Sequence, residues 1–271
     1  MSRIEQRFAA LEQAGDGGLV VFAVAGHPTV EGFAASLGAV ADAGADVIEV
    51  GIPFSDPLAD GPVIQAASQQ ALRNEMTPEG VLDLVASFRH TRQTPLVLMT
   101  CYNPICQYGV ARFAEDCGTV GVDGVIVTDL PPEEAQEWVE AARANAVDTI
   151  FLLAPTSSPE RMKKVADFAT GFVYCVSRMG VTGARSEIPA DLRDLVHRIR
   201  AHTPKPIAVG FGISRPEHVA QVCAMANGAV VGSALVSLMD RAGGQAELSH
   251  TVGRFVEELK LATQGARKQA E

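Results

Sequence analysis

Two carboxylates, Glu49 and Asp60, sit where acid–base chemistry could use them. Glu49 lies inside a short apolar run between Ile48 and Val50, and Asp60 closes the loop that leaves this run through Gly51, Ile52 and Pro53. An ionised acid buried mid-strand without a partner is costly, so its presence there calls for an explanation. A second acid in a different environment has a different pKa, and a pair separated in this way can divide the donor and acceptor roles. The competing reading makes Glu49 a structural acid paired with a buried arginine. Asp60 would then be a helix cap ahead of Gly61-Pro62, where aspartate and proline are both favoured.

Glycines supply the second signal. Ile207-Ala208-Val209 runs into Gly210-Phe211-Gly212-Ile213-Ser214, and Val230-Val231 runs into Gly232-Ser233-Ala234. Glycine lets backbone amides approach an anion closely, and a helix beginning at Ser233 would add its N-terminus to a phosphate cradle. Tight turns alone would also account for these glycines. The stretch 177–187, which contains Thr182 and Gly183, is long for a strand-to-helix connection and would serve as a lid or as an ordinary surface loop. Tyr174 either brings its hydroxyl to the same region or fills the core.

The six histidines form no HxH or HExxH pattern; His27 follows an apolar run and could see the site, while the others fall on helices and are expected to be solvated. The five cysteines are spread without CxxC or Cys/His metal spacing, so reduced thiols are expected and no metal or cofactor is implied. Cys101 has no obvious activating partner, which argues against a thiol nucleophile.

The elements that must position these groups alternate regularly. Strand-like apolar runs cover 18–25, 47–50, 96–99, 122–127, 149–153, 172–176, 206–209 and 228–231. Helical patterns cover 30–43, 61–74 with 78–90, 111–120, 132–145, 159–170, 189–202, 215–226 and 247–263, and an extra helix covers 2–14. Eight β/α units predict a parallel sheet sheathed in helices, and with eight of them closure into a single-domain (β/α)8 TIM barrel with an extra N-terminal helix is the economical architecture. An open doubly wound sheet is the alternative, although no GxGxxG follows the first strand. The domain is expected to span 1–263, with 264–271 a frayed polar tail.

A hydrophobic content of 47% with 20% charged residues suits a large core, and the net charge of −10 argues against nucleic acid or anionic membranes as partners. It leaves room for a phosphorylated substrate held by backbone amides. No apolar run reaches the roughly 18–20 residues a bilayer requires. The start, Met1-Ser2-Arg3-Ile4-Glu5, has no signal-peptide h-region, so a cytoplasmic location is expected.

Taken together, the segment 49–62, Ser177-Arg178-x-Gly180-Val181-Thr182-Gly183, Gly210-Phe211-Gly212-Ile213-Ser214 and Gly232-Ser233-Ala234 resemble, in order and spacing, the tryptophan synthase alpha chain family, and the resemblance covers about 4–263. It implies a lyase that cleaves indole-3-glycerol phosphate into indole and glyceraldehyde 3-phosphate. Glu49 matches the family's acid–base residue and Asp60 the carboxylate facing the indole nitrogen. Phe22 and Tyr174 match residues along the ring, and Thr182 matches the lid residue that positions Asp60. Gly183, Phe211, Gly212, Gly232 and Ser233 match the substrate- and phosphate-binding positions.

The resemblance also implies no cofactor in this chain and a beta-chain partner that carries pyridoxal phosphate and receives indole, in an alpha2beta2 complex. Pro53, Asp56, Asn103 and Pro104 would face that partner, so that loop 51–60 links Asp60 to the interface. A free-standing indole-releasing lyase and a catalytically idle barrel acting as an activating subunit are the alternatives. Cys101 stands where many relatives have an aromatic residue, Val24 where some have a hydroxyl, and His27 where some have aspartate. These differences concern the packing of the pocket.

Overall fold

Along each strand alternate side chains point to opposite faces, and here both faces are apolar, the condition for a parallel sheet buried on both sides. The computed structural model describes residues 1–176, 191–210, 212–242 and 244–267. Its strands are β1 (Gly18–Val24), β2 (Val47–Gly51), β3 (Leu96–Thr100), β4 (Gly124–Val127), β5 (Asp148–Leu153), β6 (Val173–Val176), β7 (Ile207–Gly210) and β8 (Gly228–Val231). They pair in chain order and close through β1 with β8, so the chain is the (β/α)8 barrel and not the open sheet.

The helices among the described residues begin with α1 (Arg3–Ala14), α2 (Val30–Asp42), α3 (Pro62–Arg73), α4 (Pro78–Arg89), α5 (Tyr102–Tyr108) and α6 (Val110–Val120). They continue with α7 (Gln136–Ala144), α8 (Pro159–Phe168), α9 (Leu192–Arg200), α10 (Pro216–Cys223), α11 (Ser233–Met239) and α12 (Gln245–Leu261). None of the described helices is long and apolar enough to cross a membrane.

The inward residues of the strands form a core of their own, with Val20, Val47, Val97, Ile126, Ile150 and Phe172 among its members. Ile4, Phe8 and Leu11, one face of α1, join it and plug the N-terminal end of the barrel, with Phe8 and Phe172 ring centroids 5.9 Å apart. Burying each of these three side chains is worth about 1.5–3 kcal/mol. A capping box starts the plug: Ser2 Oγ accepts from Glu5 N at 3.3 Å and Ser2 N donates to Glu5 Oε2 at 3.0 Å.

Buried acids brace the same end. Asp46 accepts from Leu19 N at 2.6 Å, from Lys260 Nζ at 2.7 Å and from Arg7. Asp123 accepts from Leu96 N at 2.7 Å, from Arg3 at 2.8 Å and from Arg89. Each acid ties a strand start to an ion pair from a helix.

Two elements differ from the sequence expectation. Residues 102–108, read as a connection carrying Asn103 and Pro104, form α5. Proline is tolerated in a first helical turn, and Asp129 from the next loop accepts from Tyr102 N at 2.6 Å to secure the start. Helix α7 begins at Gln136 and not at 132, because the chain first makes a turn in which Glu134 N donates to Pro131 O at 3.0 Å. The tail expected to fray is described through Arg267. There Gly265 N donates to Asp16 Oδ1 at 2.7 Å and Ala266 is buried, while residues 268–271 lie outside the described residues.

Candidate active site

Inward alternation on β2 runs Val47, Glu49, Gly51, which puts the Glu49 carboxyl inside the barrel one layer below its C-terminal mouth. Glu49 is in register with Phe22 on β1 and Val97 on β3. It is 0% exposed, and among the described residues neither carboxylate oxygen has a hydrogen-bond partner. The arginine partner of the structural reading is not there among the described residues. Burial with no compensation pushes its pKa up to about 8, so at neutral pH the group holds a proton.

Asp60 is not the cap of α3. Gly61 occupies that position with no side-chain cap bond and Pro62 starts the helix, while the Asp60 backbone carbonyl accepts from Gln65 Nε2 at 2.9 Å. The half-buried Asp60 carboxyl lines the cleft at the mouth of the barrel, and burial raises its pKa to about 6. The two acids therefore stand on opposite sides of neutrality for the same physical cause applied to different depths.

Two aromatic rings complete the mouth, each laid over a glycine. A Cβ on Gly51 would come within 2.8 Å of Phe22 Cζ, and one on Gly232 within 3.4 Å of Phe22 Cδ1, so the ring lies between strands 2 and 8. A Cβ on Gly210 would come within 2.7 Å of Tyr174 Cε1 and collide with its hydroxyl. The Tyr174 hydroxyl is held well above the ordinary phenol range, first by burial and then by the charges of Glu49 and Asp60. Tyr174 thus does both things the sequence left open: it packs on the inner core, and its hydroxyl shares the field of the two acids.

The free space of the cleft, about 350 Å³, includes the solvent open at its mouth. Phe22, Val24, Gly51, Met99, Cys101 and Thr128 form its barrel side, and Ile52, Phe54, Pro57, Asp60, Ile64, Ser68 and Thr100 carry it sideways beneath loop 51–60 and α3. The inward alternation of strands 3 and 4 could have named Met99 and Thr128. Thr100, whose buried Oγ1 has no hydrogen-bond partner among the described residues, and Ser68 carry no sequence signal, because Thr100 points out of the barrel, Ser68 lies on the buried face of α3, and both reach the cleft only where the helix crosses the strand ends. Cys101 Sγ lies 3.6 Å from Thr128 Oγ1, and burial raises its pKa, so the thiol is not activated.

Across Phe22 from this cleft lies the Gly232 turn. Gly212 has φ +42°, Gly232 precedes α11 as its N-cap, and Ser233 is its first residue; all three are half-buried. The helix does start at Ser233, and its first amides face the same end of the barrel as Asp60. Thr182, Gly183 and Phe211 lie outside the described residues.

Of the four residues expected at a partner interface, Asp56 and Asn103 are exposed, Pro104 is half-buried and Pro53 is buried. The loop instead projects Leu58, 95% exposed. His27 does not line the cleft: it is buried, with Nε2 3.1 Å from Asp240 Oδ1. His218, expected to be solvated, is also buried, with Nε2 3.1 Å from an Arg215 nitrogen. Among the described residues no three His, Cys, Asp or Glu side chains are placed to hold a metal ion.

A family model described as "Tryptophan synthase alpha chain" matches residues 8–264. A tryptophan synthase alpha chain from Geobacter sulfurreducens is 48% identical over 262 residues, 97% of this chain and 99% of that one. One from Burkholderia multivorans is 45% identical over 271 residues, the whole of both chains. Among solved structures, tryptophan synthase subunit alpha from Legionella pneumophila superposes with a TM-score of 0.89 at 35% identity, covering 97% of this chain and 98% of that one. Mycobacterium tuberculosis tryptophan synthase gives 0.88 at 37% identity, with 97% and 98% covered.

Proposed function

The chain belongs to the tryptophan synthase alpha chain family, a family of lyases, and from that premise we propose how its own residues cleave indole-3-glycerol phosphate. The observation that carries the reading is the buried Glu49 carboxyl, protonated at neutral pH and without a hydrogen-bond partner among the described residues, with Asp60, ionised there, acting on the same Tyr174 hydroxyl.

The bond from indole C3 to the side chain breaks only after the ring accepts a proton. Glu49 as an acid donates its proton to C3, which leaves a positive charge delocalised onto the ring nitrogen. Asp60, ionised above about pH 6, faces that nitrogen and stabilises the charge. The Glu49 carboxylate then takes the proton of the side-chain hydroxyl. The oxygen lone pair forms the aldehyde carbonyl, the C–C bond electrons return to the ring, and indole and glyceraldehyde 3-phosphate separate. The proton lent by Glu49 is replaced by the one it removes, so no other reagent is needed.

Phe22 and Tyr174 hold the ring between Gly51 and Gly210, while Gly212, Gly232 and Ser233, with Gly183, hold the phosphate by backbone amides. Thr182 matches the family's residue that positions Asp60. The chain works in tryptophan biosynthesis as the alpha subunit of a complex with a beta chain, to which it passes indole. Pyridoxal phosphate belongs on this reading to that partner. Asp56, Asn103 and Pro104 form the docking surface together with the exposed Leu58, and the buried Pro53 shapes the loop from behind. Because that loop ends in Asp60, docking orders the carboxylate.

Release of indole from indole-3-glycerol phosphate by the purified chain, alone and with a beta chain, tests this. Release that rises strongly with the beta chain is expected. Equal release in both would remove the coupling, and none in either would remove the lyase assignment for this chain.

A further inference from the structure

Helix α11 carries the proposed phosphate cradle at its first residue and makes a second polar contact at its last turn. That contact is His27, 2% exposed, whose Nε2 stands 3.1 Å from Oδ1 of Asp240, the C-cap of the helix. Neither ring nitrogen makes an aligned hydrogen bond among the described residues, and burial lowers the pKa of the ring, so the contact sets a neutral imidazole against the Asp240 carboxylate.

The loop bearing His27 is itself fixed from the opposite side. Asn74, which caps the C-terminus of α3, donates through Nδ2 to the carbonyls of Gly26 and Pro28, both at 2.8 Å. Gly26 has φ +82°, and a Cβ there would lie 2.9 Å from Met76 Cβ, so the turn is pressed against the residue that follows α3. His27 is therefore a buried polar wedge between α3, which starts just after Asp60, and α11. At 1.5 Å per residue α11 spans only about 10 Å, so a shift of its last turn carries over to its first.

We infer that His27 is a positioning residue for the phosphate group of the substrate: through Asp240 it sets the tilt of α11, and with it the place of the Gly232 and Ser233 amides. It touches no reacting atom. The inference rests on reading Gly212, Gly232 and Ser233 as the phosphate cradle.

Forward cleavage and the reverse condensation of indole with glyceraldehyde 3-phosphate separate this from a merely structural role. In the full-length His27→Ala variant the KM for indole-3-glycerol phosphate and for glyceraldehyde 3-phosphate should each rise about tenfold. The KM for indole and kcat should stay within about twofold, since the lost interaction acts on phosphate binding in ground and transition states alike. His27→Gln, which keeps an N–H donor, should recover most of the loss. Asp240→Asn should move the same constants and add little to His27→Ala, because both break one contact. The Asp240 side chain is 53% exposed, so that variant reports even where His27→Ala fails to fold.

Gly232→Asp is the control for the cradle: its Cβ meets nothing closer than 3.4 Å, and its charge repels phosphate. If Gly232→Asp leaves the KM for glyceraldehyde 3-phosphate unchanged, the cradle and this inference fall together. If it raises that KM while His27→Ala and Asp240→Asn do not, or if they raise the KM for indole equally, His27 has no positioning role and the cradle stands.

Discussion

At the N-terminal end of the barrel, Asp46 and Asp123 are nearly as deeply buried as Glu49 is toward the C-terminal end, yet their surroundings are opposite. Asp46 and Asp123 each receive a backbone amide and two cationic side chains. Glu49 receives nothing from the described residues, and its proton is retained to about pH 8. A buried acid supplied with donors is a fastener. One denied them is a proton store whose instability the rest of the fold offsets. Asp148, buried at the start of β5, lies between the two cases: its Oδ2 has no partner among the described residues and burial raises its pKa, while the Ser2 and Thr170 side chains act to lower it.

The sharpest break in this comparison is Glu49→Gln, which should lower kcat for indole release by about 10³-fold. The same substitution should stabilise the fold. Glu49 has a folded pKa near 8 against an ordinary 4.5, so the folded state binds the extra proton between them and the native chain loses stability as pH rises through that window. The loss is about 1.4 kcal/mol per pH unit. Urea unfolding at pH 5, 6.5 and 8 should show the variant's advantage growing with pH, and a flat difference would mean that Glu49 is partnered in solution.

Asp46→Ala should do the reverse, costing about 2–4 kcal/mol of stability by stranding Leu19 N, Arg7 and Lys260. At a temperature where the variant stays folded its kcat should match the native value. A lowered kcat there would mean that the two ends are not independent.

The smallest effect lies in the pH profile of kcat/KM. Activity should rise as Asp60 ionises through about pH 6 and fall as Glu49 loses its proton through about pH 8. Asp60→Asn should erase the acid limb and keep the alkaline one. Persistence of the acid limb would assign it to another group.

The barrel was legible because its signal is local and repeated. Eight apolar runs with β-branched residues, each followed by a helical period, leave few topologies, and the N-terminal helix announced itself by Ile4, Phe8 and Leu11 on one face. Helix α5 was hidden because its start depends on Asp129, a residue beyond the segment, and no window over 102–108 contains that acceptor. His27 was placed beside the site on chain position alone. Its ring turns away to Asp240, a residue more than two hundred positions along the chain.

By itself the sequence determined the repeat, the identity of the two acids and the placing of glycines at the ends of strands 7 and 8, since residue type, alternation and spacing are properties of a single strand and its loop. Tertiary structure alone decided which buried acids are paired, that the Asp60 carboxyl does not cap α3, that Phe22 and Tyr174 rest on Gly51 and Gly210, and that the cleft turns sideways to Ser68 and Thr100. A pKa depends on the solvent removed and the charges brought near by segments distant in the chain, and those are known only once the barrel has closed.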